Sequence, residues 1–142
     1  MPSVFTRIIA GELPGRFVWR DEHVVAFLSI NPVTTGHVLV VPIEEVDHWV
    51  DLDPPLWTRV SAVSHVIGRA LTEAFDAPRV GSMIAGFEVP HVHVHVFPAH
   101  GLDDIGFAKA DPSPDPAVLD DAAARIRAML RTHGHAEHVP GD

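Results

Sequence analysis

The sequence contains no cysteine, which excludes disulfides, thiolate metal sites and a cysteine nucleophile and leaves packing alone to stabilise the chain. Basic residues are scarce: 10 Lys and Arg against 19 Asp and Glu give a formal net charge of -9. That balance argues against long nucleic acid as a partner, because a phosphate backbone demands a basic face. A small anionic ligand needs only a locally favourable pocket. Apolar runs of bilayer-spanning length are also lacking, and the stretch from Met1 to Arg7 has no apolar segment of signal-peptide length. A cytoplasmic protein without membrane contact is the expectation. What the sequence does contain, in 142 residues of 46% hydrophobic composition, is enough apolar material for one compact domain and as many as 11 histidines.

Phe5, Ile8 and Ile9 recur at helical spacing ahead of Gly11, which predicts a short helix over 5–10 with a glycine stop. Three β-like runs follow, Arg16 to Arg20, Val24 to Ser29 and His37 to Val41, and their short links favour antiparallel pairing. Asp53 can cap a long amphipathic helix that starts at Pro54 and carries Leu56, Val60, Val63, Ile67 and Leu71 on one stripe as far as Phe75. A fourth strand is expected over Val80 to Ala85 and a fifth over His91 to Phe97. Asp111 to Pro116 is proline-rich and leads to a terminal helix, Ala117 to Arg131, while Gly134 to Asp142 reads as a frayed tail. Strands in a run with one long helix between them indicate an α+β fold. The pairs Asp103-Asp104 and Asp120-Asp121 read as solvated surface.

The informative stretch is Pro90-His91-Val92-His93-Val94-His95-Val96-Phe97-Pro98. On a strand, period-two alternation sets the three imidazoles on one face and the valines on the other, where the core can take them. Three readings compete for the imidazole face. It can be a polar outer face, although Thr, Lys or Glu would serve solubility as well. It can be a zinc site, but same-face residues lie about 6.7 Å apart, which separates His91 and His95 by about 13 Å at their Cα atoms. It can be a nucleophilic centre, in which one ring nitrogen attacks while a backbone carbonyl fixes the other N–H, and flanking imidazoles hold the pocket and protonate a leaving group.

The run His91-Val92-His93-Val94-His95-Val96-Phe97 resembles the signature of the histidine triad (HIT) family, His-x-His-x-His-x-x with apolar x. Phe5 to Pro14 is similar to that family's N-terminal segment, and Asn31-Pro32 through Gly36-His37 to Pro42 to its central block, so the likeness spans about residues 4–98 in order. The resemblance implies a five-stranded antiparallel sheet with one long and shorter helices, usually doubled into a homodimer. It places the catalytic domain at 1–110, with 111–142 as a linker, helix and tail packed on it. It implies a nucleotide hydrolase or nucleotidyl transferase acting on the α-phosphate of nucleoside phosphoramidates, dinucleoside polyphosphates or nucleotide sugars, with purine nucleotides expected and no cofactor. By the same resemblance His93 is the nucleophile, His95 contacts the phosphate and leaving-group side, His91 supports the ring and His37 packs behind. Phe5, Ile8, Leu13, Phe27, Leu28 and Ile30 match the apolar base pocket, with Ser29, Gly86 and Glu88 also at nucleotide-binding positions.

The match departs from the pattern at identifiable places. Ser29 stands where many members hold the ribose with Asp, and it lacks a carboxylate's bidentate grip. Ile84 and Phe87 replace polar residues that face the phosphate, and Glu88 puts a carboxylate near it. These changes motivate an alternative reading, a binding or protein-interaction module of the same fold with little turnover. Ser3, Thr6 and Glu45 occupy positions that in some members carry zinc-binding Cys and His, so zinc of that type is expected to be absent.

Overall fold

The computed structural model describes residues 1–141. Helix α1, Val4–Ile9, starts at Ser3, whose Oγ accepts the Thr6 N–H at 3.0 Å, and it ends where Gly11 takes a left-handed φ of +85°. Strands β1, Phe17–Arg20, and β2, Val24–Leu28, are joined by a turn in which the Asp21 carboxylate accepts the N–H groups of His23 and Val24 at 2.7 and 2.8 Å. Strand β3, Val38–Pro42, then leads through a 3-10 turn to helix α2, Pro54–Ala74. Asp53 stands at the N-cap of α2, but its side chain makes no capping hydrogen bond. Strands β4, Arg79–Met83, and β5, Val94–Ala99, complete one antiparallel sheet of order β1-β2-β3-β5-β4, and helix α3, Pro116–Thr132, follows.

Helices pack on both faces of this sheet where β2 and β3 lie, so these two strands are buried at every position and read as continuous apolar runs. On one face Val24, Ala26, Val38, Val40, Val94 and Val96 pack against α2 and α3, with Ile67, Leu71, Ile126 and Leu130 filling that core. The alternate residues Val25, Phe27, Leu39 and Val41 turn to the opposite face and meet Phe5 of α1. Helix α1 covers only part of that second face. The uncovered remainder is the space in which the histidines sit.

Three expectations change. Strand β5 begins at Val94, not His91, because the Val92 N–H is drawn to the Val46 carbonyl at 2.8 Å, which holds this stretch against a loop rather than a strand. The tail from Gly134 is not frayed: residues Ala136–His138 form a 3-10 turn, the rings of His135 and His138 lie 5.5 and 4.7 Å from that of Trp19, and Val139 packs on the main core. Asp142 lies outside the described residues. Asp104 is not solvated surface but buried, accepting the His100 N–H at 2.9 Å and pairing with Lys109 at 2.9 Å. Helix α3 is tied to the body by Arg127, which donates to the Phe17 carbonyl at 2.7 Å, and by Arg125, which donates to the Ala74 carbonyl. Among the described residues no helix is long and apolar enough to cross a membrane.

Candidate active site

His91, His93 and His95 reach the partly open face together, and all three are buried. Their order of hydrogen bonds fixes which nitrogen of each ring carries the proton. His37 sits just before β3, placed by Gly36 at a φ of +97°. The Nδ1 of His37 accepts the Val33 N–H at 3.1 Å, so a neutral His37 carries its proton on Nε2, which lies 2.9 Å from Nδ1 of His95. His37 therefore donates to His95. The Nδ1 of His95 is spent as an acceptor, and its own proton resides on Nε2.

The same bookkeeping applies to the other two rings. Nδ1 of His93 lies 2.7 Å from the backbone carbonyl of His91 and donates to it, which leaves Nε2 of His93 an unprotonated lone pair. Nε2 of His91 donates to the Pro42 carbonyl at 2.7 Å, and its Nδ1 accepts the Ser3 hydroxyl at 2.7 Å. Both nitrogens of His91 are thus occupied by protein, and neither faces a ligand. His93 and His95, with ring centroids 4.9 Å apart, present one bare nitrogen and one N–H side by side.

Burial keeps these rings neutral. Desolvation is the largest influence on each: His37 is pushed down to about 3 and His95 to about 4, the neighbouring imidazoles adding to the effect. His93 and His91 are also lowered, chiefly by burial, although the carbonyls of His91 and Pro42 respectively pull in the opposite direction. At neutral pH the set is four uncharged imidazoles, the state in which a nitrogen lone pair is available for attack.

His37, His93 and His95 border a cavity of about 830 Å³, within the usual range for a small-molecule site. Phe5, Ile8, Phe27, Leu28, Ser29, Ile30 and Glu88 line it. Leu13 does not border it, because the chain turns away after α1 and brings Pro14, Gly15 and Arg16 to the wall instead. Gly86 borders a second, smaller cavity of about 300 Å³ on the other side of His93, together with Trp49, Ile84 and Phe87. The sequence reading missed Phe107, whose ring lies 5.0 Å from that of His95, and the wall pair Arg16–Asp120 at 2.8 Å. No local pattern marks either, since both depend on the segment after β5 folding back over the site. His100 does not line the large cavity; its backbone N–H serves Asp104.

Ser3, Thr6 and Glu45 do converge on His91, as a hydrogen-bonded cluster. The Ser3 N–H and the Thr6 hydroxyl donate to Glu45 Oε1 at 2.7 and 2.6 Å, while Ser3 Oγ takes the Thr6 N–H and gives its proton to His91. Two neutral hydroxyls and a carboxylate oxygen that already accepts twice do not fit zinc, which favours thiolate, imidazole and unspent carboxylate donors. Among the described residues no group of three or more His, Cys, Asp or Glu is placed to hold a metal ion.

A five-stranded antiparallel sheet with three alternating histidines at and just before its fifth strand, two of them bordering an apolar cavity, defines a histidine-triad protein. The chain belongs to the HIT family: the HIT domain model matches residues 10–102. It is 37% identical over 104 residues to an uncharacterized HIT-like protein of Methanocaldococcus jannaschii, covering 70% of this chain and 81% of that one. A relative in Schizosaccharomyces pombe, an asymmetrical bis(5'-nucleosyl)-tetraphosphatase, is 36% identical over 92 residues, 60% of this chain and 50% of its own length. Among solved structures, a zinc-bound histidine triad family protein from Mycobacterium smegmatis superposes with a TM-score of 0.80 at 29% identity, covering 94% of this chain and 96% of the other. A hypothetical histidine triad nucleotide-binding protein from Sulfolobus tokodaii gives 0.80 at 26% identity, with 91% and 92% covered.

Proposed function

We propose that the protein is a nucleotide hydrolase or nucleotidyl transferase that attacks the α-phosphate of a nucleoside phosphoramidate or related nucleotide through a covalent nucleotidyl-His93. The observation that carries this reading is the pairing of a bare Nε2 on His93 with a proton-bearing Nε2 on His95 at one cavity wall. In the first displacement the His93 lone pair forms a bond to phosphorus and the bond to the leaving group breaks, the His95 N–H hydrogen-bonding the departing atom, which takes its proton from solvent. In the second, water forms a bond to phosphorus, the phosphorus–His93 bond breaks, and the proton released by water passes to solvent. His37 keeps His95 in the tautomer that can do this.

The nucleoside lies along the apolar wall of Phe5, Ile8, Phe27 and Ile30, which suits a purine, with Ser29 toward the ribose. Arg16 on that wall is already paired with Asp120, so phosphate is held by imidazole and backbone N–H donors. The name of the S. pombe relative supports a nucleotide phosphate linkage as the bond cleaved. A cytoplasmic homodimer is part of the proposal; the partly exposed edge strand β4 offers a surface for a second copy.

A second reading, nucleotide binding with little turnover, rests on Phe87, 96% exposed, and Ile84 beside the smaller cavity, where apolar side chains stand instead of polar phosphate partners. Assaying adenosine and guanosine phosphoramidates, dinucleoside polyphosphates and nucleotide sugars separates the two. The expected result is turnover of at least one class by the wild type and a loss of about a thousandfold or more in His93→Ala with an unchanged circular dichroism spectrum. Wild-type turnover by His93→Ala would remove His93 as the nucleophile. Tight binding of nucleotides with no turnover of any class would favour the second reading.

A further inference from the structure

The Glu45 carboxylate is exposed, yet it is tied into the buried site by a continuous path. Its Oε1 accepts from the Ser3 N–H and the Thr6 hydroxyl, residues 42 and 39 positions away in the chain. Those bonds fix the start of α1, and with it the Ser3 side chain, which is 5% exposed. Ser3 Oγ accepts the Thr6 N–H, and of the acceptors within its reach Nδ1 of His91 at 2.7 Å is nearer than the Thr6 hydroxyl oxygen at 3.3 Å, so its single proton goes to His91. His91 is then held with its proton on Nε2 toward Pro42, and its backbone carbonyl is the group that takes the Nδ1 proton of His93. Each link decides the next.

We propose that Glu45 is a positioning residue for the nucleophile, acting through Ser3 and His91 to hold His93 with its Nε2 lone pair toward the cavity. This rests on the reading of His93 given above, and it deepens that reading by tracing the tautomer of the reacting ring to a carboxylate outside the site. Without the anchor, Ser3 is free to leave His91. The buried ring's Nδ1 then loses its 2.7 Å donor, with the Thr6 hydroxyl at 3.4 Å the remaining neighbour, and moving the ring proton to Nδ1 gives up the Pro42 carbonyl. The shift disturbs the His91 carbonyl on which His93 depends. The hydrogen bonds from Ser3 and Thr6 hold the Glu45 carboxyl below the usual carboxylate range, so the anchor is ionised at neutral pH.

The test uses the full chain carrying ¹⁵N-labelled histidine. In the wild type the imidazole spectrum is expected to show an Nε2–H tautomer for His91 and an Nδ1–H tautomer for His93. Glu45→Ala and Ser3→Ala should erase that contrast. Both should also lower kcat about tenfold while KM stays within about twofold, since the nucleophile is misaligned and the nucleoside wall is untouched. Glu45→Gln, which retains an acceptor oxygen, should restore both readouts. Unchanged His91 and His93 tautomers in Glu45→Ala would overturn the proposal, whether or not melting temperature or kcat fell, because that pattern belongs to a simple staple of α1. The spectrum needs no substrate. If no nucleotide is ever turned over, the reading of His93 as a nucleophile fails while the tautomer result still decides the role of Glu45.

Discussion

Each histidine of the site has a hydrogen-bonded partner on at least one nitrogen, and that partner, more than the ring itself, sets what the other nitrogen can do. The same enclosure has a thermodynamic consequence. His37 and His95 titrate at about 3 and about 4 when folded, against an ordinary value near 6.5 when unfolded. Between these limits the unfolded chain binds more protons than the folded one. The contribution of the neutral rings is therefore fully present above about pH 6.5 and is lost as pH falls toward the folded values, with a slope of up to about 1.4 kcal/mol per pH unit for each imidazole. Urea unfolding at pH 7, 6 and 5 should show stability falling steadily, and His37→Gln should flatten the slope. A stability independent of pH over that range would mean that these rings are not held neutral. The alternation of His and Val made the set legible, because period two is enough to put 91, 93 and 95 on one side. The protons were not legible, since they depend on Val33, Pro42 and Ser3, which no local spacing links to the triad.

At the scale of elements, the strands and long helices could be read because burial on a sheet face or helix stripe imposes a period. Their ends could not be read equally well. Strand β5 starts three residues late because a loop carbonyl at Val46 captures Val92, and the C-terminal segment is ordered because Trp19, more than a hundred residues earlier, offers a ring to His135 and His138. Asp104 was misread for the same kind of reason: Lys109 and the His100 N–H make its burial tolerable. The entry to β3 is the element-scale feature that the site depends on most. Gly36 has a left-handed φ, and a Cβ there would come within 2.7 Å of the Phe75 ring. Gly36→Ala is expected to cost roughly 2–4 kcal/mol from backbone strain and overpacking together. Because it displaces His37, activity should fall beyond what the stability loss alone explains. Urea unfolding and kcat measured on the same preparation check both parts, and a wild-type midpoint would show that Phe75 yields without strain.

For the molecule as a whole, helices on both sheet faces leave one gap, bordered by His37, His93 and His95. The net charge of -9 is compatible with the proposed phosphate ligand, since neutral imidazoles and N–H donors would meet it locally without the basic surface that a polynucleotide needs. The cavity of about 830 Å³ suits a single nucleotide. Phe107 and the Arg16–Asp120 pair enclose it from parts of the chain far from the triad, which is why the floor was legible in the sequence and the walls only in part. The proposed reacting atom is Nε2 of His93. Rapid-quench mass spectrometry during turnover of a nucleoside phosphoramidate tests that most directly. The expected result is a transient nucleoside-monophosphoryl adduct on the peptide containing His93, labile to acid and absent from His93→Ala; turnover with no adduct, or an adduct on another residue, would contradict it.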